Sequence, residues 1–274
     1  MTAAVRRSAI ISALVAVLVG LILVPFLWVL TNAFKNDSEI FGETLSLPAS
    51  WTLQNFETAW TQGKFAAYFA NSVVVAISAT VITVVVATPA GYVFGRLAGR
   101  GTGWLFYVLL VTITLPVEAI VVPVFYQMRA IGLIDSLTGL TLVIVATGLP
   151  LGVFIMRNFF RDLPDSLSEA AAIDGASTWR TFFLVMAPLA KPAMLAVTVF
   201  AFLGAWNEYL LALLLLFSND TMTIPLGLTQ FQGQYSSDYG ALFGGITLAM
   251  IPSIVVYLAL QRAFTEGLLA GSSK

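Results

Sequence analysis

The 274-residue chain contains no cysteine and no histidine. It therefore cannot form a disulfide, and it lacks the thiolate and imidazole groups on which many metal sites and nucleophilic active sites depend. Charged residues are also scarce, at 10% of the chain against about 25% in soluble proteins, whereas hydrophobic residues make up 59%. The net charge of −1 gives no basis for binding nucleic acid. We expect a membrane-embedded protein with no catalytic residue and no metal site.

Six apolar stretches are long enough to cross a bilayer, which takes about 20 residues of helix. Backbone groups find no water in the hydrocarbon core, so these stretches should be helices rather than open strands. The predicted spans are Ile10–Leu30, Val73–Phe94, Gly103–Met128, Leu137–Met156, Ala193–Phe217 and Gly240–Leu260. The sequence therefore predicts an all-α integral membrane protein of six transmembrane helices, forming a single transmembrane domain over residues 1–274.

Basic residues are distributed unequally between the two sides of these spans. With the N-terminus inside, ten lie on the cytoplasmic side: Arg6, Arg7, Arg96, Arg100, Arg157, Arg161, Arg180, Lys191, Arg262 and Lys274. Three lie outside: Lys35, Lys64 and Arg129. This bias predicts that both termini are cytoplasmic. The first apolar run is longer than the core of a secretory signal, about 7–15 residues, so we interpret it as a retained helix.

Glycines and prolines within the spans indicate how the helices pack. Gly91 with Gly95 and Gly240 with Gly244 match the G-x-x-x-G spacing that permits close helix approach, and we expect this packing to occur within the chain. Prolines interrupt the hydrogen-bond ladder of a helix, and four lie inside predicted spans: Pro116, Pro123, Pro150 and Pro252. Kinked or interrupted helices are therefore expected.

The main cytoplasmic segment, residues 157–191, lies between the fourth and fifth predicted spans. The run from Ser166 to Glu169 fits the S-x-x-E capping box, and the three alanines that follow favour helix. Gly175 is placed to end this helix because glycine adopts the left-handed conformation readily. Ser177 or Thr178 can then cap a second helix that runs to Pro188. A partner-binding surface and an ordinary capped helix pair both account for this helix–turn–helix insert.

The spacing of the insert resembles the EAA loop of ABC importer permeases, which reads E-A-A, three residues, G, nine residues, I-x-L-P. Here Val185 and Ala187 replace the usual isoleucine and leucine. The resemblance extends along the chain and points to the carbohydrate-importer branch, in particular the six-helix second permease of the maltose-type family. The other matching segments are Ala90-Gly91-Tyr92, Ile131 to Asp135, Trp206-Asn207-Glu208-Tyr209 and Ile224 to Leu228. The last four residues, from Gly271 to Lys274, depart from that family's usual ending.

The resemblance implies a permease that passes a carbohydrate or sugar-like solute from an extracytoplasmic solute-binding protein into a prokaryotic cell. The implied partners in the inner membrane are a second homologous permease, two ATP-binding subunits and lipid. ATP and Mg would bind to the ATP-binding subunits, since this chain has no G-x-x-x-x-G-K-[ST] phosphate loop. The implied coupling residues, which would dock on the ATPase, are Glu169, Ala170, Ala171, Asp174 and Gly175.

Polar side chains within membrane spans are costly and usually face the interior of the helix bundle. Amide and carboxylate groups suit sugar hydroxyls, and aromatic faces suit sugar rings. The candidate pathway residues are Glu118, Trp206, Asn207, Glu208 and Tyr209. Interhelical hydrogen bonding would explain the same residues. If the two carboxylates instead bound ions, the chain would be an ion-coupled secondary transporter, although we find no inverted repeat of the kind such proteins carry.

Overall fold

The computed structural model describes residues 3–42, 46–61, 64–97, 99, 101–232 and 237–270, with the backbone alone for residues 3–9 and 262–270. Helix dominates this part of the chain, which contains no strand beyond an isolated bridge between Gln232 and Ser237. The predicted all-α class is therefore confirmed. The terminal segment from Gly271 to Lys274 and the charge of Arg100 lie outside the described residues.

The helices follow one another with short connections. Those of the first half are α1 (Ala3–Asn32), α2 (Asp37–Gly42), α3 (Gln54–Thr61), α4 (Phe65–Arg96), α5 (Thr102–Thr114), α6 (Val117–Ala130) and α7 (Leu137–Asp162). Those of the second half are α8 (Ser166–Ile173), α9 (Thr178–Thr181), α10 (Ala187–Leu189), α11 (Lys191–Trp206), α12 (Leu210–Leu215), α13 (Ile224–Gly227) and α14 (Tyr239–Ala270). A π-helical turn at Phe182–Met186 joins α9 to α10, and a 3-10 turn at Leu228–Phe231 follows α13.

Four helical segments are long and apolar enough to cross a membrane unbroken: Ile10–Asn32, Phe65–Arg96, Leu137–Asp162 and Tyr239–Gln261. They correspond to the first, second, fourth and sixth predicted spans. Two further candidates are bent pairs, α5 with α6 at 103° and residues 178–189 with α11 at 71°. Counting each pair as one span gives up to six within the described residues. The total of six and the cytoplasmic placement of both termini stay predictions.

The third predicted span, Gly103–Met128, is interrupted at one of the prolines that were expected to disturb it. α5 ends at Thr114, and α6 begins at Val117. Pro116 causes the break, because it has no N–H to donate and forces the preceding residue out of helical conformation. Leu115 is accordingly extended, with φ −79° and ψ 121°. Glu118 therefore lies in the first turn of α6, directly after the bend.

The fifth predicted span, Ala193–Phe217, is wrong as one helix. α11 begins earlier, at Lys191, and ends at Trp206. The next three residues separate it from the short helix α12, which ends at Leu215. These three residues are among the candidate pathway residues, so the interruption coincides with a proposed site.

By internal contacts the chain separates into two compact units, residues 1–66 with 227–251 and residues 67–226 with 252–274. In the first unit, Trp28 of α1 and Phe243 of α14 meet edge to face with ring centroids 5.2 Å apart. The missing side chain of Gly244 lets α14 approach α3, since a Cβ there would lie 2.9 Å from the carbonyl oxygen of Asn55. This G-x-x-x-G pair thus serves packing within the chain, as predicted.

The second unit is built around α7, which packs against α5, α6, α11 and α12. α4 lies close because a Cβ on Gly91 would come within 2.4 Å of the Cβ of Met156. The buried core side chains here are Ala87, Tyr92, Val153, Met156, Phe160, Phe182, Met186, Ala190, Ala193 and Val197. Phe182 and Met186 belong to the predicted cytoplasmic insert, so the insert shares a core with the membrane helices. The single domain over residues 1–274 stays a prediction.

Asp135 joins the loop between α6 and α7 to the end of α12. Its Oδ1 accepts hydrogen bonds of 2.9, 3.0 and 2.6 Å from the amide of Phe217, the amide of Ser218 and the hydroxyl of Thr221. Its own amide donates to the carbonyl of Leu215 at 2.7 Å. The bonds to the carboxylate, that from the Ser218 amide foremost, hold the pKa of Asp135 well below its ordinary value.

We predict that Asp135→Asn destabilises the second unit by about 1–2 kcal/mol, because a neutral acceptor replaces a charged one. A carboxylate with a lowered pKa stabilises the folded state above its unfolded pKa, so the deficit should be complete at pH 7 and shrink only below about pH 4. Thermal unfolding in detergent measures both effects.

Glu57→Gln is the matched control, because it removes the same charge from an exposed position on α3. Equal melting temperatures for the Asp135 and Glu57 variants would contradict a structural role for the Asp135 carboxylate.

Candidate coupling and translocation sites

The first helix of the insert does not begin with the predicted capping box. Ser166 is the first helical residue, and Asp165 occupies the N-cap position without a side-chain capping bond. The backbone carbonyl of Asp165 accepts from the amides of Ser168 and Glu169 at 2.9 and 3.1 Å. Its carboxylate is engaged elsewhere, by Arg96. Glu169 is exposed, and its carboxylate forms no hydrogen bond or ion pair within the part of the chain that the structure describes, which leaves it accessible to a partner.

The predicted glycine end of this helix is confirmed. Gly175 has φ +73°, the left-handed conformation that glycine adopts without strain. The Ala176 amide donates to the Ala171 carbonyl at 2.9 Å and the Gly175 amide to the Ala172 carbonyl at 3.0 Å, which is a Schellman motif. Among the five candidate coupling residues, Ala171 faces inward at 8% exposure, and the other four are exposed.

The second helix of the insert begins as predicted. The Oγ of Ser177 accepts from the amide of Arg180 at 3.4 Å. The helix runs through the π turn to Leu189, one residue beyond the predicted end at Pro188. Phe182 anchors it, with its ring 5.1 Å from that of Tyr92. A bend of 71° then leads directly into α11.

Arg96, at the end of α4, holds the connection between α7 and the insert. Its guanidinium donates to the carboxylate of Asp165 and to the carbonyls of Leu163 and Pro164, the last at 3.2 Å. The Arg96 side chain is only 9% exposed, although Asp165 is 84% exposed. Sequence reasoning counted Arg96 only as a cytoplasmic charge. The available signal was its position in the last turn of a helix, where a cation suits the helix dipole.

The four consecutive pathway candidates form the interruption between α11 and α12. Trp206 is 2% exposed and stacks on Phe202 at 5.7 Å, so its ring belongs to the core. The Asn207 amide donates to the Leu203 carbonyl at 2.8 Å, and the Glu208 carboxylate accepts from the Leu211 amide at 2.8 Å. The Glu208 carboxylate thereby pairs a backbone amide that the break would leave without a partner, whereas the Leu203 carbonyl also accepts the backbone amide of Asn207 at 3.1 Å. The ring of Tyr209 is 40% exposed.

Glu118, the fifth candidate, belongs to a different helix from the other four. It is exposed in the first turn of α6. No hydrogen bond or ion pair joins it to the other four candidates within the described ranges. A cavity of about 740 Å³ lies between α5, α6 and α7, and its lining is mainly apolar. Of the polar side chains, only Thr112, Gln127 and Thr147 line it, and none of the five candidates does.

Bent and interrupted spans, together with a folded insert on one end, define a multi-pass helical component of a transport system. A family model described as the binding-protein-dependent transport system inner membrane component matches residues 87–269. The diacetylchitobiose uptake system permease protein NgcG of Streptomyces coelicolor is 39% identical over 97% of this chain and 89% of that protein. The chain belongs to the family of inner-membrane components of binding-protein-dependent transport systems.

Two further relatives match at least nine-tenths of the chain. The trehalose transport system permease protein SugB of Mycobacterium tuberculosis is 33% identical over 98% of both chains. The arabinooligosaccharides transport system permease protein AraQ of Halalkalibacterium halodurans is 30% identical over 91% of this chain and 90% of that protein. The crystal structure of a bacterial ABC transporter involved in the import of the acidic polysaccharide alginate shares the fold, with a TM-score of 0.83 at 22% identity over 96% of this chain and 99% of that chain.

The family assignment decides among the functional hypotheses. Its members are permease components of ABC importers in the inner membrane, and they act with an ATPase and a solute-binding protein. ATP hydrolysis lies in the partner subunits, so this chain is not an enzyme. The assignment supports an ABC importer permease over the ion-coupled secondary transporter.

We predict that Arg96→Gln loosens the insert, because the carbonyl of Leu163 loses a buried cationic donor. Amide hydrogen exchange across residues 163–176 should accelerate about tenfold, which corresponds to roughly 1.4 kcal/mol of local stability. Arg161→Gln is the control, since that side chain is 55% exposed and lies 3.8 Å from its neighbour Asp162. Equal exchange in the two variants would show that Arg96 does not restrain the insert.

Proposed function

We propose that this permease transports a carbohydrate or sugar-like solute delivered by an extracytoplasmic solute-binding protein. The observation that carries the proposal is the similarity, over at least nine-tenths of the chain, to permeases named for diacetylchitobiose, trehalose and arabinooligosaccharides. Because these three substrates differ in sugar and size, the similarity supports the carbohydrate class rather than one member of it.

The proposed assembly contains this chain, a second homologous permease and two ATP-binding subunits, which bind ATP and Mg. This chain would bind no cofactor. We place its N- and C-termini in the cytoplasm and count six spans, with α5–α6 and the pair ending in α11 each taken as one. The excess of basic residues on the proposed cytoplasmic side supports this orientation. On this basis the chain forms one permease domain, with a coupling insert of about residues 157–191.

We assign ATPase coupling to the exposed face of α8 and its glycine turn. Glu169, Ala170, Asp174 and Gly175 lie on that surface, and the buried Ala171 packs it against the rest of the insert. The small alanine side chain permits close approach of an ATPase surface. Because Arg96 and Phe182 fix the insert to the membrane helices, displacement of α8 would move those helices with it.

We assign the solute pathway to the interruption between α11 and α12 and to Glu118. Asn207 and Tyr209 are exposed there and offer an amide and an aromatic ring, the two groups that suit a sugar. Glu208 is half-buried and accepts from the Leu211 amide, and Trp206 is buried against Phe202. Glu118, after the bend of α5–α6, has an exposed carboxylate suited to hydroxyl groups.

The test is purification of the tagged chain from native membranes in mild detergent, followed by reconstitution of the assembly with its binding protein. Mass spectrometry should identify a second permease and an ATPase. Vesicles should then take up one of a panel of radiolabelled mono-, di- and oligosaccharides only when ATP is present. Uptake confined to amino acids, peptides or ions would overturn the carbohydrate assignment.

We predict that Glu169→Lys abolishes transport-coupled ATP hydrolysis while leaving insertion and folding intact. The substitution reverses an exposed charge that has no partner in the described structure, so its cost should fall on the contact with the ATPase. Coupled hydrolysis in vesicles and the melting temperature in detergent are the two measurements.

Glu57→Lys reverses an exposed charge on α3 and should leave hydrolysis unchanged. Loss of expression in the Glu169 variant, with Glu57→Lys normal, would instead mean that Glu169 is structural.

We predict that Asn207→Ala weakens uptake about tenfold or changes which sugars are accepted, since a well-placed hydrogen bond to a neutral group contributes roughly 0.5–1.5 kcal/mol. The melting temperature should fall by only a few degrees through loss of the bond to Leu203. Glu208→Gln is the comparison, because it keeps an acceptor for the Leu211 amide. An unchanged rate and substrate profile in Asn207→Ala would assign the sugar contacts to the second permease.

A further inference from the structure

The second helix of the insert, residues 178–189, has two different long sides. One side is buried in the core of the second unit through Thr181, Phe182 and Met186. The other is exposed and almost wholly apolar: Trp179, Phe183, Leu184 and Leu189 are 70, 62, 72 and 43% exposed. Trp179 and Phe183, four residues apart, are stacked with ring centroids 6.1 Å apart and planes 18° apart. We call Trp179, Phe183 and Leu184 the aromatic face.

This face contrasts with the neighbouring helix α8. The exposed surface of α8 and its turn carries two carboxylates, Glu169 and Asp174. The sequence has no acidic residue between Asp174 and Glu208. Because contiguous exposed aromatic side chains are unfavourable in water, the two helices of one insert are suited to different surroundings.

The geometry of the helix locates the aromatic face near the membrane. Its axis is bent by 71° from α11, an apolar helix that continues into the bilayer. A helix at that angle to a span runs close to the membrane plane, over about 18 Å for 12 residues. Its buried side packs on Tyr92 and Phe160, near the ends of α4 and α7. The helix therefore lies at the level where these two membrane helices end.

A cation lies near each end of this helix. Arg180 lies beside the aromatic face and Lys191 follows the bend, and both side chains are exposed. Neither forms an ion pair with another residue of the described ranges. An apolar face on a helix with a cation near each end, and with an indole ring at its start, is the pattern of a helix that lies in the interface of an anionic leaflet.

We propose that residues 178–189 form an interfacial helix whose aromatic face inserts among the lipids of the cytoplasmic leaflet, with Arg180 and Lys191 bound to anionic headgroups. The proposal rests on the cytoplasmic placement of the insert given above. The lipid surface holds the second helix, while the first remains exposed to the ATPase. The insert can then turn about a fixed point at the membrane surface instead of moving as a free loop.

The absence of native cysteine makes the test direct, because single spin labels can be attached to Phe183→Cys and Glu169→Cys variants. Each is assembled with cysteine-free partner subunits and reconstituted in phosphatidylcholine vesicles with or without phosphatidylglycerol. Power-saturation EPR then compares collision with oxygen, which partitions into lipid, and with a nickel chelate, which stays in water. A label at Leu18→Cys on the apolar helix α1 gives the lipid-exposed reference.

The label at position 183 should collide with oxygen more often than the label at position 169 and less often than the mid-span reference, because oxygen concentration rises toward the bilayer centre and the helix lies in the interface. Removal of the ATP-binding subunits should not change this collision rate. Lys191→Gln should reduce the additional depth that phosphatidylglycerol produces. Access of the nickel chelate to position 183, lost only when the ATP-binding subunits are present, would overturn the proposal and make the ATPase the occupant. The label at position 169 reports separately on coupling, because it should become protected when those subunits bind.

Discussion

The need to satisfy backbone hydrogen bonds away from water constrains this fold more than any single contact. A membrane helix can be interrupted only where other groups replace its missing bonds. The break after Trp206 meets this condition at the start of α12, where the Glu208 carboxylate accepts from the Leu211 amide at 2.8 Å. The side-chain amide of Asn207 adds a second donor to the Leu203 carbonyl, which already accepts the backbone amide of Asn207. A carboxylate that would be costly within an unbroken span thus stabilises the interruption.

A second constraint is the attachment of the insert, residues 157–191, to the membrane helices. Its two helices are attached at different points. Arg96 binds the segment that precedes α8, and the ring of Phe182, in the second helix, packs against the ring of Tyr92. Both attachments lead to α4. A displacement applied to α8 would therefore reach the last turns of α4 without passing through a flexible linker. The glycine turn at Gly175, which is closed by two backbone hydrogen bonds, keeps the two helices in fixed register.

Patterns that are local in the sequence were predictable, and features that depend on distant residues were not. Four spans follow from apolar length, and the turn at Gly175 follows from glycine chemistry. Pro116 was expected to disturb its span, but nothing in the local sequence gives a bend of 103°. The predicted capping box does not form, because Asp165, the residue before Ser166, is held by a hydrogen bond from Arg96, about seventy residues earlier in the sequence. Asp135 matched a family segment, yet its three acceptor bonds join it to residues 217–221.

These features give the insert a physical reason for its asymmetric composition. The first helix has alanines and carboxylates on its surface, which suit a partner that binds and moves it. The second has an exposed indole, a phenyl ring and a leucine on a helix with a cation near each end, and these suit a surface on which it stays. Under the two proposals above, the ATPase would displace the first helix and the membrane surface would hold the second. The composition of the exposed surface changes at Gly175, so the left-handed turn at that residue would separate the two roles.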